Sequence, residues 1–108
     1  MSSPDTLSRL EATIARRRSA DPDSSYVAKL NARGLGKIAQ KLGEEATETV
    51  IAALTEDHEA LVGEAADLIF HLMVLLGAKD VALAEVLAEL DRREGVSGIA
   101  EKAARPGN

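Results

Sequence analysis

Cysteine is absent from this 108-residue chain, which removes disulfides, thiolate metal sites and thiol nucleophiles together. Tryptophan is absent as well, and phenylalanine and tyrosine occur once each. A core must therefore be assembled from Leu, Val, Ile and Ala, a mixture that favours helices. A basic excess is also missing: 13 Lys and Arg stand against 18 Asp and Glu, for a formal net charge of −5. That balance argues against nucleic-acid binding, and any polyanionic ligand would need a local cation. The N-terminal segment MSSPDTLSRLEATIARRRS has no apolar signal core, so a cytoplasmic protein is expected. The most apolar stretch, residues 60–78, has the length of a membrane span. Glu64, Asp67 and His71 interrupt it, however, and no interfacial aromatics flank it, so it reads as the buried helix of a soluble protein without a membrane.

No strand pattern, internal repeat or low-complexity tract is present, and the length suits one domain over residues 1–108. Ser3, Pro4 and Asp5 have the character of a helix start, giving a first helix to about Arg18. Ser19 to Ser25 is a loop around Pro22. Tyr26 to Arg33 is a short helix stopped by Gly34. From Leu35 to about Thr55, Ile38, Leu42, Ala46, Val50 and Ala53 recur at spacings of three and four and are expected to face the core. Thr55, Glu56 and Asp57 break the chain and cap a helix to Ala78. Asp80 is the expected cap of a last helix with an apolar stripe of Leu83, Val86, Leu87 and Leu90. Residues 94–108 read as a loosely ordered tail. The fold class is all-α: a small bundle of about five helices, its two longest adjacent and antiparallel.

The stretch KLGEEATETVIAAL, Lys41 to Leu54, crowds Glu44, Glu45 and Glu48 into little more than one turn. At about 100° per residue, Glu44 and Glu48 share a sector with Lys37 and Lys41, with Glu45 at its edge. A solvated face with lysine–glutamate pairing is one reading, although lysine N-terminal to glutamate is the weaker order along a helix. The next long helix is harder to read as surface. Glu64, Asp67 and His71 project at about 0°, 300° and 340°, on a face otherwise apolar. A buried carboxylate must be protonated, paired or bound to a metal. An antiparallel hairpin brings Glu45 and Glu48 towards Glu64 and Asp67, and four hard oxygen donors suit Mg²⁺ or Mn²⁺ rather than Zn²⁺. Such an ion shares its shell with phosphates, so a nucleotide polyphosphate is the natural ligand. A network satisfied by basic side chains from another helix or subunit is the alternative.

Glu44-Glu45-Ala46-Thr47-Glu48, fifteen residues, then Glu64-Ala65-Ala66-Asp67 resembles the EExxE…ExxD signature of the all-α, MazG-like nucleoside triphosphate pyrophosphatase superfamily. SSYVAKL (24–30), Gly34, KIAQKLGEEATE (37–48) and EAADLIFHLMVLL (64–76) are similar to the phosphoribosyl-ATP pyrophosphatase family of histidine biosynthesis, over about residues 7–93. REGVSGIAEKAAR (93–105) is similar to the tail of some bacterial members. The resemblance implies Mg²⁺-dependent hydrolysis of phosphoribosyl-ATP to phosphoribosyl-AMP and pyrophosphate. It also implies a homodimer or higher homo-oligomer, with sites near the subunit interface. By position Glu45, Glu48, Glu64 and Asp67 would be metal ligands, and Glu44 would bind metal or orient the attacking water.

Lys29, Arg33, Lys37 and Lys41 are candidates for the phosphate charge and Tyr26 for a substrate contact, with surface charge or packing as the other reading of each. His71, one turn beyond Asp67, is either a core histidine hydrogen-bonded to a carboxylate or in direct contact with the substrate or metal. Two rival functions remain in view. A house-cleaning pyrophosphatase for non-standard nucleoside triphosphates would use the same groove, and a non-enzymatic helical module would pair its acids with a basic partner. A di-iron bundle would require Glu-x-x-His pairs, which the chain lacks.

Overall fold

The computed structural model describes residues 3–94, with side chains from Thr6 onward; the cap assigned to Ser3 and the tail 95–108 lie outside the described residues. Five helices follow one another: α1 Ser3–Arg17, α2 Tyr26–Arg33, α3 Leu35–Thr55, α4 His58–Ala78 and α5 Leu83–Arg93. The start signals act locally. Ser25 caps α2, its Oγ accepting from the Ala28 amide at 3.2 Å, and Asp57 caps α4, accepting from the Ala60 amide at 2.9 Å. Gly34, at φ 99°, turns the chain between α2 and α3, and its amide donates to the Asn31 and Leu30 carbonyls. That backbone region is strained for any residue with a Cβ.

Three expectations are corrected. Asp80 does not cap α5. It sits in the left-handed region at φ 56°, which Asp tolerates, and its carboxylate lies 3.9 Å from the Arg18 guanidinium. Ala82 is the N-cap residue and has no side-chain acceptor. Instead the Glu85 carboxylate accepts from the Ala82 amide at 3.1 Å, and Glu11 of α1 accepts from the Leu83 amide at 2.8 Å. The α5 stripe buries only Leu83, while Leu87 and Leu90 are exposed. In α3 the buried residues are Ile38, Glu45 and Ala52, each seven apart, whereas Val50 and Ala53 face outward. A seven-residue recurrence is the seam of two helices packed along their length, and α3 and α4 form such a hairpin.

The core clusters at one end of this hairpin. Ile14 of α1, Val27 and Leu30 of α2, Ile38 of α3, Met73 and Val74 of α4, and Leu83 close around one another. Among the described residues, nothing covers the opposite end. Val50, Ile51 and Leu54 on α3 and Val62 on α4 are exposed there, Leu54 at 78%. α4 is long and apolar enough to cross a membrane, yet it is buried only in part, at His71, Met73 and Val74. Ile38, 1% exposed, is packed from all sides. Ile38→Ala should therefore lower the free energy of unfolding by about 2–5 kcal/mol, as read from urea denaturation followed by circular dichroism.

Candidate active site

The hairpin brings three of the four expected ligands together. Glu45, Glu48 and Glu64 each place a carboxylate oxygen within 4.8 Å of the others. Glu45 occupies the seam between Ile38 and Ala52 and is 8% exposed, so it belongs to the interior and not to the edge of the polar sector. Glu64 is half-buried and Glu48 exposed, which makes the cluster a groove enclosed on one side and open on the other. Asp67, one turn along α4, is exposed and lies outside the trio, though its charge reaches Glu64. Thr49, which the sequence reading did not single out, ties the two helices together at this level. Its hydroxyl lies 2.8 Å from the Glu45 carbonyl and 3.1 Å from the Glu64 carbonyl, its one proton shared between them. The only sequence signal is a threonine four residues after Glu45, able to bond back within its helix.

The electrostatics of the groove call for a cation. Glu45 Oε1 and Glu64 Oε1 are enclosed and have no hydrogen-bond partner. Burial pushes the Glu64 carboxyl above its ordinary range; the charge of Glu48, a hydrogen bond shared with Glu48, and the charges of Glu45 and Asp67 add to the effect. Among the described residues, no basic side chain answers the two enclosed oxygens. Lys41 feels the negative potential of Glu45 but gives its hydrogen bond to Glu44 at 3.2 Å. These are hard oxygen donors in a partly desolvated setting, the donor set that fits a small divalent ion.

Glu44 stands apart. Its carboxylate accepts from Gln40 at 2.8 Å and from Lys41, and these two bonds, Gln40's first, hold it below its ordinary range. The lysine–glutamate pairing considered for the whole acidic stretch is thus realised at Glu44 alone of its three glutamates. Lys41 and Lys37 are half-buried, while Lys29 and Arg33 are exposed on α2. His71 is 5% exposed with both ring nitrogens engaged, Nδ1 with the Asp67 carbonyl at 2.7 Å and Nε2 with the Tyr26 hydroxyl at 2.9 Å. The carboxylate partner expected for it is therefore a backbone carbonyl. Phe70, also not singled out from the sequence, stacks on Tyr26. A cavity of about 420 Å³ lies elsewhere, bordered by Glu11, Ile14, Arg18, Met73, Asp80 and Leu83. Its polar groups are committed to structure, Glu11 to the Leu83 amide and Arg18 to Asp80.

Residues 7–94, which include the whole acidic groove, match the phosphoribosyl-ATP pyrophosphohydrolase family. The chain belongs to that family. A phosphoribosyl-ATP pyrophosphatase of Novosphingobium aromaticivorans is 79% identical over 99 residues, 92% of each chain. One of Erythrobacter litoralis is 75% identical over 93% of this chain and 96% of its own. One of Zymomonas mobilis subsp. mobilis is 60% identical over 96% and 97%.

The raised Glu64 carboxyl has a definite sign in stability. Its penalty is absent below the ordinary value of 4.5 and fully present above the raised folded value, so metal-free protein loses stability as pH rises through that window. At neutral pH in EDTA, Glu64→Gln should therefore melt above wild type, and the difference should vanish near pH 4. Millimolar Mg²⁺ should raise the wild-type melting temperature and leave that of Glu64→Gln nearly unchanged, both read by thermal unfolding.

Proposed function

We propose that the chain hydrolyses phosphoribosyl-ATP to phosphoribosyl-AMP and pyrophosphate, the second step of L-histidine biosynthesis, with Mg²⁺ as cofactor and in the cytoplasm. The observation that carries this reading is the pair of unpartnered, enclosed oxygens of Glu45 and Glu64, facing one another in a chain of this family. Bound Mg²⁺ supplies positive charge to the phosphate oxygens and so stabilises the charge that develops as the anhydride breaks.

The chain's own residues supply position and charge. Glu45 and Glu64 would hold the ion from the enclosed side and Glu48 from the open side, with Asp67, exposed one turn along α4, as the fourth carboxylate available to it. Lys37 and Lys41, with Lys29 and Arg33 further out on α2, offset the remaining phosphate charge. Glu44, kept ionised by Gln40 and Lys41, is the carboxylate available to orient the attacking water and accept its proton. As the water oxygen bonds to phosphorus, the bridging oxygen leaves with the other product. Such a reaction needs little covalent chemistry from the protein, so in-line positioning and charge can account for most of the catalysis.

We read the working protein as a homodimer or larger, because Val50, Ile51, Leu54 and Val62 stand exposed together about the α3–α4 turn, the kind of apolar face that marks an interface. Leu54→Asp should shift the assembly towards monomer in light scattering, whereas an unchanged mass would remove this face from the interface.

For the reaction, product analysis with Mg²⁺ should show phosphoribosyl-AMP and pyrophosphate formed far faster than deoxynucleoside triphosphates are cleaved, and EDTA should stop it. Comparable turnover of ordinary nucleotides would favour the house-cleaning activity instead. Glu48→Ala and Asp67→Asn should each lower kcat by about a hundredfold or more, with the helical circular dichroism retained.

A further inference from the structure

The only tyrosine and the only phenylalanine of the chain meet at one place, beside a buried histidine. Tyr26 opens α2 immediately after its Ser25 cap, so its backbone is held. Its ring stacks on Phe70 with centroids 6.0 Å apart and planes 25° from parallel, and it meets His71 edge-on at 5.7 Å. The histidine's tautomer follows from its partners. A carbonyl oxygen can only accept, so Nδ1 carries the proton towards Asp67, and Nε2 must accept from the Tyr26 hydroxyl. The phenol proton is thereby turned inward and the ring is held at its hydroxyl, its backbone and one face. Tyr26 nevertheless remains 46% exposed.

Two connections place this ring at the acidic groove: Asp67 precedes His71 by one helical turn and gives it its carbonyl, and Lys41 is within electrostatic reach of both Tyr26 and Glu45. Building on the function proposed above, we propose that Tyr26 is the platform on which the purine base of the substrate stacks, with Phe70 supporting the ring and His71 acting as the positioning residue for its hydroxyl. An aromatic face accepts any purine without reading its edge, and such stacking contributes on the order of ten- to a hundredfold in affinity.

Because the chain has one tyrosine and no tryptophan, its intrinsic emission reports this ring alone. Titration with AMP should quench that emission to saturation, while ribose 5-phosphate at the same concentrations should leave it unchanged. Tyr26→Ala should raise KM for phosphoribosyl-ATP by about ten- to a hundredfold with kcat within about threefold, whereas Tyr26→Phe, which keeps the ring, should show only a small part of that rise. His71→Asn, which removes the Nε2 acceptor, should reproduce the Tyr26→Phe value and add nothing to it in the double variant. Identical emission with both ligands, or an unaltered KM in Tyr26→Ala, overturns the platform. Failure of the wild type to cleave phosphoribosyl-ATP while AMP still quenches would overturn the function proposed above and leave the platform standing.

Discussion

A carboxylate in the seam of the hairpin is the constraint around which the rest is arranged. Glu45 occupies the position between Ile38 and Ala52 where two packed helices ordinarily put an apolar side chain. Burying an ionised group there costs several kcal/mol unless something compensates it, and one of its oxygens has no hydrogen-bond partner among the described residues. Glu64, drawn towards the same point from α4, makes the charge problem worse. A sequence selected only for stability would place leucine at both sites. The fold tolerates these acids and ties the two helices together beside them through the Thr49 hydroxyl; on the function proposed, the groove is where stability is given up for chemistry.

His71 shows the contrast. It is as buried as Glu45, yet both of its ring nitrogens are bonded and its neutral form suits the interior. Two polar groups lie in one small core, one complete and one incomplete, and the incomplete one sits among further acids. The difference separates an interior group whose bonding is complete from one whose bonding, on the function proposed, a cation completes. Composition alone does not make it, because each appears in the sequence simply as an ionisable residue on an apolar helix.

The helices themselves were legible because their ends are written in local chemistry. Ser25 and Asp57 cap, Gly34 turns, and Ser19 to Ser25 cannot continue a helix. The rotation of α3 was not legible. A 3.6-residue pattern through Ile38, Leu42, Ala46, Val50 and Ala53 differs little from a seven-residue seam through Ile38, Glu45 and Ala52 where Ala46, Ala52 and Ala53 are the choices, because small side chains discriminate weakly between faces. Asp80 misled for a related reason: its type suits a cap, but the left-handed backbone that Asp tolerates placed it two residues before the helix boundary. At the site, pairs spaced i, i+3 brought Glu45, Glu48 and Glu64 together once the helices were antiparallel. Glu44, at the same density of charge, turned to Gln40 and Lys41 because those partners lie on its own helix. Thr49 and Phe70 were invisible because their importance lies in a neighbour on another helix.

Placement along the hairpin links the acids to assembly. The packed core gathers at the end formed by Ile38 and Val74, and Val50, Ile51, Leu54 and Val62 stand exposed at the other. The acidic groove lies between the two, enclosed on one side by the core and open at Glu48. A second copy covering the exposed end, as proposed, would remove water from the groove's remaining flank. Coulombic attraction between the carboxylates and a divalent ion strengthens as the surrounding dielectric falls, and so does the repulsion among the carboxylates without one. Association and ion binding would then favour each other, and the apolar face, far from being a separate feature of the surface, would belong to the same device as the acids.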